Sequence, residues 1–344
     1  MRGRAPALYG VAMDVRSSRW FVAALIALSP FVGEFLLGNL TLRELPLGVF
    51  LAPMYGLGAV LVREVTRRSG GGWPAIFLLA AAYALIEEGL VDQLLWNDSY
   101  ADHDYLHGPS YIPMVGTSVE AVQTILALHI VWSICVPIAI IERLAGRRGT
   151  TPWLTTRGTT FVGAAFFVSI ILIGIAGYSE EQFLASPAQL IGCSVVIVAL
   201  ILAAFRVRGH RFATRPAQAP RPFVVGAVTL ATTSAYWGPA VLVSRESYEW
   251  FGVVIWLAVG LGGGWWLLRS SRSVGWGSTH RFAAAAGATL TYAWASFPVV
   301  PEAYHPSRAL DLTSNAVFGL VALAILVTAA QVGSPRNSLP TLRA

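Results

Sequence analysis

The sequence predicts an all-α fold, a polytopic transmembrane helix bundle of about ten spans with both termini cytoplasmic, and three observations carry that prediction. Hydrophobic residues make up 55% of the 344 and charged residues only 12%, half or less of the share in an ordinary soluble domain. Ten apolar segments, each of about 18 to 25 residues, have the length that crosses the hydrocarbon at 1.5 Å rise per residue. Their arginines alternate in position: 21 of the 24 basic residues, all arginine, fall in every second loop or at the two ends. Only Arg43, Arg245 and Arg308 fall on the other side, where Asp98, Asp102, Asp104, Glu180, Glu181, Glu246, Glu249, Glu302 and Asp311 gather. Such a bias sets orientation in a membrane.

The first span, 20–38, follows a basic flank of Arg2, Arg4, Arg16 and Arg19. It is as long as a full crossing and is followed by no small-residue cleavage site, so it reads as a retained helix of a cytoplasmic-membrane protein rather than a signal peptide. Spans 45–62, 73–96 and 119–141 complete a four-span half, 1–145, that holds the intramembrane acids and a histidine. The polar stretch 146–158, rich in Gly, Thr and Arg, reads as a cytoplasmic linker. Spans 159–177, 187–205, 223–243, 250–268, 282–300 and 315–332 form a six-span half, 159–344, with no acid or histidine expected well inside. Gly260 and Gly264 in the eighth span have the small-xxx-small spacing of a close helix crossing, read as packing within the chain. Trp153, Trp237, Trp265, Trp266, Trp276 and Trp294 sit near span ends or loops, as membrane-interface belts do. Cys135 and Cys193 lie in apolar runs and read as small core residues.

Chemistry concentrates in the third span, Trp73 to Trp96, which carries Glu87, Glu88 and Asp92. A charged side chain near a bilayer centre costs about 3 kcal/mol on insertion scales, and such groups face a bundle interior or a wet cavity. Glu88 lies about 15 residues from the span's start, roughly 20 Å up. His129 lies about ten residues down from the opposite side, roughly 15 Å deep and at a similar level. Glu34, near the end of the first span, falls higher in the outer half. Helical spacing puts Glu88 and Asp92 on one face, with Glu87 pointing about 100° away. Paired carboxylates beside an imidazole are the ingredients of general acid/base catalysis.

Weaker candidates flank this layer. Arg63–Glu64 and Glu142–Arg143 end the second and fourth spans on the arginine-rich side and read as interfacial anchors pairing across helices. The loop 97–118 carries Asp98, Asp102, His103, Asp104 and His107, read as a solvated loop without fixed metal-ligand geometry. His280 and His305 fall at opposite membrane faces, away from the glutamates. No metal and no cofactor is expected. The basic excess follows topology, so nucleic acid is not an expected partner; the lipid bilayer is, with a membrane peptide as candidate substrate. No phosphate loop, H-E-x-x-H or G-x-S-x-G occurs, which leaves an ATPase, a zincin and an α/β-hydrolase unsupported.

Glu87-Glu88 followed one span later by Ile125-x-x-x-His129 resembles the first two motifs of the CAAX-protease and bacteriocin-processing (CPBP) intramembrane proteases. That family carries E-E-x-x-x-R, then F-x-x-x-H, then H-x-x-x-N. Here Asp92 stands at the arginine position, Ile125 at the aromatic one, and no later span supplies a histidine followed by asparagine. The resemblance implies a glutamate acting as general base on water, a histidine stabilising the oxyanion, and cleavage of a peptide bond in or near the membrane. Catalytic candidates are therefore Glu87, Glu88 and His129, with Glu34 and Asp92 as supporting polar groups. Two other readings compete: a non-catalytic membrane component or immunity-type protein with a structural polar network, and a proton-coupled transporter using the same carboxylates.

Overall fold

A computed structural model describes the backbone of residues 7–208, 213–243, 245–299, 301 and 306–332, with side chains withheld for 7–17, 240 and 245–249. Arg2, Arg4, Glu302, His305, Arg336 and Arg343 lie outside the described residues, as do the side chains of Arg16, Arg245, Glu246 and Glu249. The chain is a bundle of long helices. In order they are α1 (Ala7–Pro30, continued by a π-helical turn Phe31–Phe35), α2 (Leu47–Arg68), α3 (Trp73–Leu85, continued by a π turn Ile86–Val91), and α4 (Val119–Leu144), whose middle, Leu128–Cys135, is also π-helical. There follow α5 (Thr156–Glu181), α6 (Pro187–Val207), α7 (Pro222–Leu242), α8 (Arg245–Ser271), α9 (Ser278–Ala295) and α10 (Arg308–Val332).

Each of the ten expected spans contains a helix, but among the described residues only eight helices are long and apolar enough to cross a membrane. α7 and α9 fall short of that measure. Polar residues such as Thr232, Thr233 and Ser234 in α7 and His280 and Arg281 in α9 dilute their apolar character. Two short ladders join loops: β1 (Tyr111–Ile112) pairs antiparallel with β2 (Thr117–Ser118), and β3 (Arg215–Gln218) runs parallel to β4 (Ser273–Val274).

Helix ends follow local chemistry. Thr155 and Ser186 cap α5 and α6, their hydroxyls accepting from Gly158 N and Gln189 N, and Ser186 with Gln189 forms a reciprocal capping box. Pro137 deserts the usual ladder in α4, because it has no N–H for a carbonyl one turn back. The Ser133 carbonyl is met instead by the Ser29 hydroxyl at 2.5 Å, from α1. A membrane helix tolerates proline where neighbouring side chains, water or a local π adjustment re-satisfy the freed backbone groups.

The main core runs through α1 to α5, α7, α9 and α10. Trp132 of α4 stacks on Tyr292 of α9 with ring centres 4.3 Å apart, Trp237 of α7 meets both edge-on, and Trp132 Nε1 donates to the Ala288 carbonyl at 2.9 Å. Trp237 and Trp153 are therefore buried rather than interfacial. Trp265, exposed over 62% of its surface, is where a lipid-facing residue would be. The close crossing is also elsewhere than expected. A Cβ on Gly264 would meet nothing within 4 Å, and one on Gly260 only its own helix's Trp256. A Cβ on Gly287 of α9 would instead strike the Gly226 carbonyl and lie 2.8 Å from Leu230 N, both backbone atoms of α7.

Backbone cannot yield as a side chain does, so Gly287→Val is expected to force α7 and α9 apart. The cost is about 1–3 kcal/mol or more, the usual range for overpacking. Gly264→Ala should be near neutral. Thermal unfolding of both variants in detergent checks the pair, and equal melting temperatures would contradict the crossing.

Candidate functional site

Three π-helical turns carry the ionisable groups, and sequence spacing did not reveal them. Leu36 N bonds to Phe31 O at 2.9 Å, Asp92 N to Glu87 O at 2.8 Å, and Val136 N to Val131 O, each skipping one residue more than an α-helix does. Glu34 lies in the first turn, Glu87 and Glu88 in the second, and His129 and Ser133 in the third. Such turns widen a helix by one residue, leave ladder bonds irregular, and concentrate at functional sites.

The second and third turns bring three residues together. His129 Nδ1 lies 2.9 Å from Glu87 Oε2, and its Nε2 lies 2.6 Å from Glu88 Oε1. All three are buried, Glu88 retaining the most side-chain exposure at 8%. The expectation that Glu87 points away from Glu88 is thus overturned. The wider winding, together with an imidazole that presents a nitrogen on each side, lets adjacent glutamates grip one ring. Glu88 Oε2 has no hydrogen-bond partner, and the buried hydroxyl of Tyr83 lies against the Glu87 carboxylate. Unpaired buried oxygens of this kind are costly unless a water, ion or substrate meets them.

Glu34 joins the cluster through Tyr55. Tyr55 OH donates to Glu34 Oε1 at 2.5 Å, and the Tyr55 ring sits 5.8 Å from the His129 ring, centre to centre. Asn39 Nδ2 holds the other Glu34 oxygen at 3.1 Å. Ser133 Oγ lies 3.4 Å from His129 Nδ1. A neutral tyrosine carries no charge to flag its depth, which is why only its geometry identifies it. Tyr55→Phe leaves Glu34 with Asn39 alone, and a loss of about 1–3 kcal/mol is expected from the unmet carboxylate. Denaturant unfolding in detergent measures it; a stability equal to the parent's would refute the link.

Asp92 is half-buried at the outer end of the second turn, beneath the loop that begins at Asn97. Burial pushes the phenol of Tyr100 in that loop well above its ordinary range, and the charges of Asp92 and Glu88 add to the effect. The string Glu88, Asp92, Tyr100 thus runs from the buried cluster toward the loop.

Other candidates resolve differently. Arg63 and Glu64 pair with each other, and Glu142 binds Arg67 through both oxygens at 2.7 Å, so these groups do link helices. They form a buried cluster rather than surface anchors: Arg63 and Glu64 are wholly enclosed, and Arg63 lies 3.5 Å over the Trp153 ring. In the loop 97–118, the amides of His107 and Leu106 donate to Asp104 and hold its carboxyl below the usual carboxylate range. That is turn chemistry. His280 caps its own helix, accepting from Gly277 N at 3.1 Å, and its Nε2 lies 3.0 Å from the Pro220 carbonyl. Asp311 lies outside the expected span 315–332 and is nevertheless buried: it is 2% exposed, bound to Arg308 and Asn315 in the first turns of α10, which begins at Arg308.

Among the described residues one group of histidine, cysteine and acidic side chains can hold a metal ion: Glu87, Glu88 and His129, whose ligand atoms all lie within 4.8 Å of one another. An imidazole with two carboxylates suits a divalent cation by type. Each ring nitrogen already faces a different carboxylate, so an ion would have to displace one of these contacts.

Comparison with curated proteins and with solved structures finds no match, and nothing in the comparisons ties the chain to the CPBP proteases. One family model does match, over residues 23–333, and it is described as an uncharacterized membrane protein family. With that match covering most of the sequence, and with eight apolar helices of spanning length, the chain belongs to this family of multi-pass membrane proteins.

Proposed function

We propose that the chain is an intramembrane hydrolase of glutamic type, CPBP-like in its use of a glutamate pair and a histidine, acting on a membrane peptide. The observation that carries this reading is the double grip on His129, with Glu88 Oε2 left unpaired. Glu87, the more enclosed, holds Nδ1 and orients the ring, the part a carboxylate plays in a catalytic triad. Glu88 faces Nε2 and keeps Oε2 without a hydrogen-bond partner, so it is the base that takes a proton from water. His129 Nε2 then stabilises the charge that develops on the attacked carbonyl oxygen. The four-span half 1–145 holds the chemistry and 159–344 packs around it. The arginine bias supports placement in the cytoplasmic membrane with both termini cytoplasmic.

A second reading, a proton relay for coupled transport, is favoured by the hydrogen-bonded string Asn39, Glu34, Tyr55 that leads toward His129. Proteoliposomes loaded with apolar peptides separate the two. The hydrolase releases fragments, detected by mass spectrometry, and continues to do so in the presence of a chelator, since Glu88 rather than an ion activates water. Intact peptide together with proton uptake under an imposed gradient would transfer the site to the relay. Neither activity, with Glu→Gln variants that lose only folding yield, would make the network structural and the chain a non-catalytic membrane component.

A further inference from the structure

At the arginine-rich end of the bundle, independently of the glutamate–histidine site, the buried charges do not balance. Arg63, Arg67, Arg143 and Arg281 converge there with two carboxylates, Glu64 and Glu142. Both carboxylates are fully engaged. Glu64 takes Arg63 and the amides of Trp153 and Leu154, and Glu142 takes Arg67 through both oxygens with Arg63 Nε 3.4 Å away. Among the described residues Arg143, only 9% exposed, has neutral partners alone: the Ala329 carbonyl at 3.3 Å and the hydroxyls of Thr279 and Ser278 at 3.1 and 3.5 Å. Arg281, half-buried, forms no ion pair among the described residues.

A buried guanidinium without a counter-charge is expensive, because it remains charged at any physiological pH. Arg143, with the half-buried Arg281 lining the same cavity, calls for an anion. Arg143 and Arg281 both line a small open cavity, together with Glu142, Ser278, Thr150 and Gly149. Ser278 is the first residue of α9, an 18-residue helix, so the positive end of the helix dipole adds to the field. Guanidinium pairs, hydroxyls and a helix start together match an oxyanion with several acceptor oxygens.

The geometry points to a binding site for an anionic phosphate group between α4 and α9, formed by Arg143, Arg281 and Ser278. Its position supplies the source. Basic pockets between helices at the membrane's arginine-rich face lie among lipid headgroups, so the occupant is the headgroup phosphate of an anionic phospholipid. A free phosphate ion would offer the same oxygens without the acyl chains.

The test uses the full chain, purified and stripped of lipid in neutral detergent. Thermal unfolding is followed with added phosphatidylglycerol, phosphatidylcholine or inorganic phosphate, and native mass spectrometry counts retained lipid. Phosphatidylglycerol is expected to raise the melting temperature by several degrees, whereas phosphatidylcholine, whose choline brings a positive charge among arginines, is not. A rise with phosphatidylglycerol alone assigns the lipid. An equal rise with inorganic phosphate shows that the phosphate group suffices. Arg281→Gln should weaken the apparent affinity about tenfold or more, the scale of one lost charge-assisted bond. Ser278→Ala, which keeps both charges, is the second variant should Arg281→Gln fail to fold, and it should weaken binding severalfold. No rise with either anion, an equal rise with phosphatidylcholine, or undiminished binding in the foldable variant would overturn the site.

Discussion

Glu88→Gln is expected to leave the chain folded and to slow peptide cleavage by about 10²- to 10⁴-fold, the contribution of a positioned general base. The substitution keeps the side chain's volume and a polar contact to His129 Nε2, which lies 2.6 Å from Glu88, while removing the basic oxygen. Glu88→Ala does something different. It leaves His129 against an empty space in the bundle core, so lost folding should accompany lost activity, and only the isosteric variant isolates the chemistry. Glu87→Gln is expected to be milder in rate, because Glu87 orients the ring at Nδ1 without facing the water. Cleavage assays on equal amounts of monodisperse protein check the order. Equal activity of Glu88→Gln and the parent would remove Glu88 from the mechanism.

Arg63→Met should cost about 3–5 kcal/mol, the largest loss of stability expected anywhere in the chain. Removing one member of a buried ion pair strands the other charge, and breaking such pairs costs that much. Here Glu64 would remain wholly enclosed beside the amides of Trp153 and Leu154. The same change releases three carbonyls, those of Arg148, Gly149 and Thr151, which Arg63 Nη2 now holds. It also strips the cation from the face of Trp153. The loop between α4 and α5 would lose one of its tethers to α2, those from Glu64 and Arg68 remaining. Arg63→Met combined with Glu64→Gln should recover part of the loss, because no stranded charge remains. Denaturant unfolding of the two variants checks both parts, and a single variant as stable as the double would contradict the account.

The sequence was most legible where the cost of burying charge is highest. Glu87, Glu88 and His129 could be placed in one layer by counting residues inward at 1.5 Å each, and they meet there within hydrogen-bond distance. Helical wheels failed on the pair's direction, because they assume uniform winding and Ile86–Val91 is wound as a π turn. No local propensity marks such a turn. In hindsight Pro30, Gly33 and Gly89 stand at the turns of α1 and α3, and Pro137 follows that of α4. Hydroxyl and amide groups were the other blind spot. Tyr55, Asn39 and Ser133 complete the cluster yet carry no charge that would make their depth conspicuous. Asp311 was missed for a related reason: charge near a span's edge reads as loop, whereas Arg308 and Asn315 let it begin a helix inside the bundle. Tryptophans near span ends can anchor in lipid or pack inward, and Trp237 packs against Trp132 and Tyr292. Composition alone does not separate the two.

The most direct test of the central claim is a single-turnover cleavage of an apolar peptide by the full chain in liposomes prepared in ¹⁸O-labelled water, with the products weighed by mass spectrometry. If Glu88 activates water beside His129, the new peptide carboxylate takes one ¹⁸O in the first turnover and the protein takes none. A peptide that stays intact, or a first product whose new oxygen comes from the protein, would contradict it.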